Sequence, residues 1–300
     1  MQRDDTKSDT LKNLREVNRL YDNPMVKKTA EIDSTHVSRY FEGVKTSILG
    51  PYMMDGYGFP NSAGNYRFQA ETQIVERLLS GVDRRGAVLD LGCGVGYWAE
   101  AFARDFSAVV AVEGSANLYR ELKTRCVPYT NIKSVHSDVL SFQPEGDFSL
   151  AFLGGLLMYL DESDVVALLG KLRKSLRPGG IILCRESTVR GDTLTLTGDY
   201  SVVYRSIENY RRIFKNSGLA VRTIERNQPY VLLQMGCELI DKCKALTPKR
   251  FQMLPLMGRL AYWVLRTMNP WILNVPTTFG TPFPILENHF FVLEAVDQTE

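Results

Sequence analysis

The chain has 300 residues, 44% hydrophobic and 23% charged, which suits one large buried core with at most a modest accessory lobe. Its 36 basic and 34 acidic side chains leave a net charge of +2, too balanced for the basic stripe of a nucleic-acid binder. Five cysteines without a CxxC pair and three scattered histidines argue against a metal site or a disulfide framework, and the charged first twenty residues argue against a secretory leader, so the chain reads as cytoplasmic.

In chain order, Leu11, Leu14, Val17 and Leu20 recur on one face and predict a short amphipathic helix. Residues 50–66 are dense in Gly, Pro, Asn and aromatic side chains and read as a loop. Residues 1–65 are therefore expected to form an N-terminal helical and loop lid, followed by a helix over Phe68–Leu79. From residue 87 the pattern alternates. Apolar, β-branched runs at 87–91, 108–113, 132–136, 148–153 and 181–186 predict strands, with helices over Tyr97–Asp105, Ala116–Arg125 and Ser163–Leu176 between most of them. Asp161 is placed to cap the last helix, and Arg177-Pro178-Gly179-Gly180 to stop it. Repeated strand–helix–strand units predict an α/β, doubly wound and mostly parallel sheet with its binding edge at the carboxyl ends of the strands. Residues 66–230 form this unit. Further on, a helix is expected at Glu208–Asn216, a strand at 219–225, a helical insertion or cap over 231–287, and a closing strand within 288–300. The apolar stretch Met253–Val275 is broken by Pro255, Arg259, Arg266 and Pro270, which speaks against a membrane span.

The most informative segment is Asp90-Leu91-Gly92-Cys93-Gly94-Val95-Gly96. A buried strand ends in a turn whose glycines bare the backbone, and a helix with free N–H groups follows at once. The second strand ends in Glu113, a carboxylate suited to two ribose hydroxyls. Dinucleotide folds use GxGxxG; here the spacing is GxGxG, and Tyr97 stands where the third glycine would be. Asp90 would repel a pyrophosphate but suits a ligand carrying an ammonium group.

This segment resembles the first motif of the class I, seven-stranded, Rossmann-like S-adenosylmethionine methyltransferases, and the likeness extends over residues 66–226 with the strand at 289–296. The resemblance implies S-adenosyl-L-methionine as cofactor, S-adenosyl-L-homocysteine as product, and no metal. It implies that Asp90, Gly92, Cys93, Gly94 and Gly96 cradle the cofactor, that Glu113 binds ribose, that Asp138 and Val139 meet adenine, and that Leu153, before Gly154 and Gly155, passes the methionine moiety. It also implies a last strand antiparallel to strand five. A fainter likeness, in Leu176–Val189 and in 208–228, is to protein α-N-terminal methyltransferases.

On the acceptor side, Glu186 is expected at the end of strand five, as an acceptor contact or as a partner for Arg185 or Arg190. Asp199, Tyr200 and Tyr204 are expected to line the pocket or to pack. His289 is a candidate base, and Tyr52, Tyr57 and Phe59 either close over the substrate or dock on the domain. The 231–275 stretch admits three roles: a cap over an apolar substrate, a peripheral contact with a membrane or lipid-linked acceptor, and a packed helix pair or homodimer contact. The expected activity is methyl transfer to oxygen or nitrogen of a small molecule, with a protein or peptide N-methyltransferase and a non-catalytic cofactor-binding subunit as the alternatives and a dehydrogenase a distant one.

Overall fold

The computed structural model describes residues 32–43, 57–197, 201–246, 254–269, 271–273 and 283–296. Its strands are β1 (Ala87–Leu91), β2 (Ala108–Glu113), β3 (Ile132–His136), β4 (Phe148–Leu153), β5 (Leu176–Val189), β6 (Leu194–Thr197), β7 (Ser201–Tyr204), β8 (Leu219–Arg226) and β9 (Leu286–Ala295). Its helices are α1 (Ser34–Gly43), α2 (Asn61–Leu78), α3 (Tyr97–Ala103), α4 (Ala116–Cys126), α5 (Glu162–Lys174), α6 (Ile207–Asn216), α7 (Gln228–Leu246) and α8 (Leu254–Met268). Seven strands form one sheet in the order β3-β2-β1-β4-β5-β9-β8, and β6 and β7 form a separate hairpin. The first five strands run parallel, while β9 is antiparallel to both β5 and β8.

The central strands are continuous apolar runs because both of their faces are covered. On one face Leu79, Val88, Trp98, Phe102, Phe152 and Phe290 pack together, and on the other Leu89, Leu153, Leu168, Leu172, Tyr210 and Phe291. Parallel register sets Leu91 beside Val112 and beside Leu153, and Leu153 beside Cys184. β1, β2 and β4 therefore end at one level, and the turns that follow them share one edge.

Several elements differ from the sequence expectation. α2 begins at Asn61, well before Phe68, because Ala63 packs against Leu233 and Tyr262, with Tyr66 beside them. Tertiary burial there overrides a loop-like composition. β5 continues to Val189, since its last residues pair with β9 as far as Leu286. The β6–β7 hairpin is not among the expected elements, α1 is a helix within residues 1–65 at a position the apolar pattern does not mark, and the helix expected near Leu11–Leu20 lies outside the described residues. Asp161 does precede α5, but its Oδ1 accepts the Ile32 N–H at 2.9 Å instead of capping the helix. α8 seats closely at two glycines: a Cβ on Gly258 would lie 2.1 Å from the Gly58 carbonyl carbon, and one on Gly236 would lie 3.0 Å from Leu265 Cδ1.

Candidate cofactor and transfer site

After β1 the chain turns through Gly92, Gly94 and Gly96, with φ of 64°, 57° and 89°. A side chain in this left-handed region costs about 1–2 kcal/mol per residue. The three glycines serve different ends. A Cβ at Gly96 would sit 2.5 Å from Leu122 Cδ1, so this glycine lets α3 begin against α4. A Cβ at Gly92 would press on Leu156 Cδ1 at 3.1 Å, whereas one at Gly94 would meet nothing within 4 Å. The middle of the turn thus presents bare backbone to open space.

Glu113, at the end of β2, ties this turn to the next. Its Oε2 accepts the Gly94 N–H and its Oε1 the Ser115 N–H, both at 2.8 Å. Burial pushes its pKa up, and the N–H groups of Ser115, Gly94 and Gly114 oppose that shift. Asp138 follows β3 and is exposed, its Oδ1 accepting from Leu140 N–H and Ser141 N–H, while Val139 is buried in the core. α1 lies over this part of the edge. Glu42 accepts the Ala116 and Asn117 N–H groups at the start of α4, and Phe41 meets Tyr159 edge-on at 5.2 Å. An open cleft of about 440 Å³ lies between α1 and Asp138, lined by Ser34, Thr35, Ser38 and Arg39.

Asp90 is the sharpest electrostatic feature. It is 2% exposed, and its Oδ2 has no hydrogen-bond partner. Burial, with the Glu113 charge second, raises its pKa to about 8, against the opposing pull of the Ala99 N–H and Arg185. An uncompensated buried carboxyl of this kind calls for a cation, and an amino-acid ammonium group is one that fits beside a bared glycine backbone. A bound ammonium would draw the proton off Asp90. The expected result is that S-adenosylmethionine binding at pH 7 releases most of one proton, and that affinity rises by up to tenfold per unit as pH climbs towards 8, then falls as the ligand's own amino group loses its proton. Calorimetry in buffers of different ionisation enthalpy checks this; heats independent of buffer, with affinity flat in pH, would contradict it.

The turn after β4 is gripped from both sides of β5, because successive strand residues point to opposite faces. On one side Arg185 Nη2 donates to the Gly154 carbonyl at 2.8 Å. On the other, Glu186 Oε1 accepts the Leu156 and Leu157 N–H groups, each at 3.0 Å. Glu186 is therefore corrected from its expected place at the strand end: β5 runs past it, it pairs with His289 in register, and it is 0% exposed. Burial raises its pKa to about 7, against the pull of those N–H groups, Arg185 and Arg205. Of the two arginines expected beside it, Arg185 acts on it through charge while bonding Glu71 at 3.0 Å, and Arg190 bonds Glu287 at 2.7 Å.

Arg185 leads into a buried polar cluster that sequence reasoning missed. Glu71 accepts from Arg185, from Arg67 Nε at 2.7 Å and from Asn227 Nδ2 at 2.6 Å; Asn227 Nδ2 also reaches Asn288 Oδ1 at 2.8 Å. Ser187 Oγ meets Tyr230 Oη at 3.3 Å, and the Arg67 guanidinium lies over the Tyr230 ring. The local signals are Arg67 and Glu71, spaced four apart on α2, and a charged Arg185 inside an apolar strand, neither of which names its distant partners.

His289 is also buried. Its Nδ1 meets Thr188 Oγ1 at 2.8 Å, and burial lowers its pKa to about 4, so the ring is neutral at pH 7. Tyr204 is buried in a satellite cluster with Val189, Leu196 and Leu286. Tyr200, Asp199 and Tyr52 lie outside the described residues. Tyr57 docks against Cys237 and Ile240 of α7, with Phe59 beside them. Leu153 is fully buried at the end of β4 and Cys93 is partly buried in the glycine turn.

Residues 88–180 match the family model of a methyltransferase domain. Phosphoethanolamine N-methyltransferase 1 of Triticum aestivum is 29% identical over 132 residues, 43% of this chain and 26% of that protein. The N-terminal Xaa-Pro-Lys N-methyltransferase 1-B of Xenopus laevis is 24% identical over 198 residues, 64% of this chain and 86% of that one. Among solved structures, a SAM-dependent methyltransferase of Leishmania major superposes with a TM-score of 0.60 at 14% identity, over 87% of this chain and 82% of the other. The chain spans only about a quarter to a third of the length of the phosphoethanolamine methyltransferases it matches.

Proposed function

We propose that this chain is a class I methyltransferase, a reading supported by its seven-stranded fold and by the methyltransferase-domain match over residues 88–180, and that it transfers a methyl group from S-adenosylmethionine to oxygen or nitrogen of a small-molecule acceptor. The observation that carries the reading is the pairing of a bare Gly94 backbone, open to space, with the unpartnered Oδ2 of Asp90 at the same strand end.

Asp90 would receive the ammonium group, Gly92, Cys93, Gly94 and Gly96 would line the turn beside it, and Glu113 would exchange its Gly94 contact for the ribose hydroxyls. Asp138 and Val139 would border adenine beneath α1. The bound cofactor supplies a methyl group already activated by sulfonium charge, so the chain's own task is alignment and exclusion of water. Leu153 and Gly154 would face that methyl group, and the grip of Arg185 and Glu186 on residues 154–157 would hold the turn still while the acceptor approaches. Arg185 and Glu186 are thus positioning residues, and a neutral, Thr188-bound His289 is available to accept a proton only if the acceptor reaches it.

α1 bonded to the start of α4 narrows the edge, which favours a small acceptor over a folded one. The likeness to the Xenopus enzyme over most of that protein's length favours a peptide amine as the second reading. Incubation of the full chain with tritiated S-adenosylmethionine and a cell extract, followed by separation by size, decides between them. Label in small metabolites is the expected outcome. Label confined to polypeptide would replace the small acceptor with a peptide, and S-adenosylhomocysteine that never forms with any fraction would leave only a binding role.

A further inference from the structure

α8 does not resemble an ordinary surface helix, which turns one apolar face inward and a polar face outward. Its inward face holds Gly258, Tyr262 and Leu265, all buried. Its outward face is also apolar: Leu256 is 58% exposed, Leu260 63% and Trp263 62%, with Val264 and Met268 close behind. At about 100° per residue, Leu256, Leu260, Trp263, Val264 and Thr267 form one stripe along the helix. Trp271, just beyond, is 79% exposed. Arg259 and Arg266 stand together along one flank of this stripe, both exposed.

The charge of the segment is as one-sided as its hydrophobicity. Residues 242–286 contain no Asp or Glu, yet they carry Lys242, Lys244, Lys249, Arg250, Arg259 and Arg266. Lys244 is buried against Asp241 and Lys242 lies near Glu238, which leaves Lys249, Arg250, Arg259 and Arg266 with no acid within this stretch of sequence. Among the described residues of this stretch, Arg259 and Arg266 set positive charge directly beside the exposed apolar stripe of α8.

We propose that this face of α8 is a docking surface for an anionic lipid bilayer. Leucine, valine and tryptophan side chains enter the boundary between headgroups and acyl chains, and flanking arginines meet lipid phosphates and carboxylates. Among the described residues no helix is long and apolar enough to cross a membrane, so the contact is interfacial. A second copy of the chain is a poorer occupant. In a twofold contact through this stripe, the arginine flanks would face a segment that offers no carboxylate to receive them. An anionic surface answers both features at once.

The test uses the full chain and sedimentation with vesicles of phosphatidylcholine, with and without phosphatidylserine. The proposal expects binding to the anionic vesicles at least roughly tenfold stronger than to the neutral ones, weakened by salt, with a blue shift of tryptophan emission. Leu260→Glu combined with Trp263→Glu should abolish binding, and Arg259→Glu should weaken it several-fold. Both variants alter exposed side chains away from the glycine turn, so S-adenosylmethionine binding by calorimetry should be unchanged. That readout separates this proposal from the methyl-transfer reading: either can fail while the other stands. No preference for anionic vesicles would overturn the proposal. So would a concentration-dependent dimer, seen by sedimentation velocity without lipid and lost in the Trp263→Glu variant, if vesicle binding is absent.

Discussion

Replacing Gly94 with arginine is expected to remove S-adenosylmethionine binding, with an affinity loss of at least about a hundredfold, while the protein stays folded. The two halves of this result have separate causes. Gly94 sits at φ 57°, so any side chain there costs about 1–2 kcal/mol of folding stability, a tolerable loss for a domain of this size. No atom lies within 4 Å of the Cβ position, so the protein itself does not obstruct the new side chain. The arginine would instead occupy the space where the ligand must approach the backbone. It would also bring a cation to the place where the ligand's own ammonium group should meet Asp90. A calorimetric titration paired with a thermal melt checks both halves. Full affinity in the folded variant would move the cofactor away from the glycine turn.

The second large effect concerns stability. Glu71→Ala is expected to destabilise the fold by about 3–5 kcal/mol in denaturant unfolding, because Arg67 and Arg185 would stay buried and lose their carboxylate. Glu71 is 0% exposed and the two arginines 7% and 8%, so water cannot easily replace the lost partner. Glu71→Gln keeps an acceptor oxygen and should cost less. If Arg185 helps position residues 154 and 155, the alanine variant should also lower the rate of transfer more than it weakens cofactor binding. A loss below about 1 kcal/mol would show that the cluster is hydrated and exchangeable, closer to a surface ion pair.

These two residues mark the boundary of what the sequence makes legible. Gly94 belongs to a local pattern in which strand, turn, helix and second-strand acid lie within two dozen residues, and each carries its own physical signal. The strands β1 to β4 are legible for the same reason. β1, β2 and β4 are largely buried and appear as apolar runs with the observed limits, while β3, half-buried at the sheet edge, is marked by its β-branched Ile132 and Val135. Glu71 belongs to no such pattern. Its partners Arg185 and Asn227 are 114 and 156 residues away, and nothing local to a helical glutamate indicates them. Glu186 was misplaced for a related reason: the end of β5 is set by pairing with β9 as far as Leu286, a partner about a hundred residues away that the β-branched Thr188 and Val189 cannot name by themselves. The β6–β7 hairpin is short, and its connecting residues gave the appearance of a pocket-lining loop. In α2, packing of Ala63 against Leu233 and Tyr262 imposed helix on a segment rich in Gly and Asn.

What remains is a cofactor reading built on the carboxyl edge of β1 and β2. Its most direct test is titration of the unaltered chain with S-adenosylhomocysteine, the product a class I site should hold. The account predicts saturable binding at one site, with release of most of one proton at pH 7 as Asp90 ionises. Absence of heat with both the product and S-adenosylmethionine, in a sample shown to be folded, would contradict it.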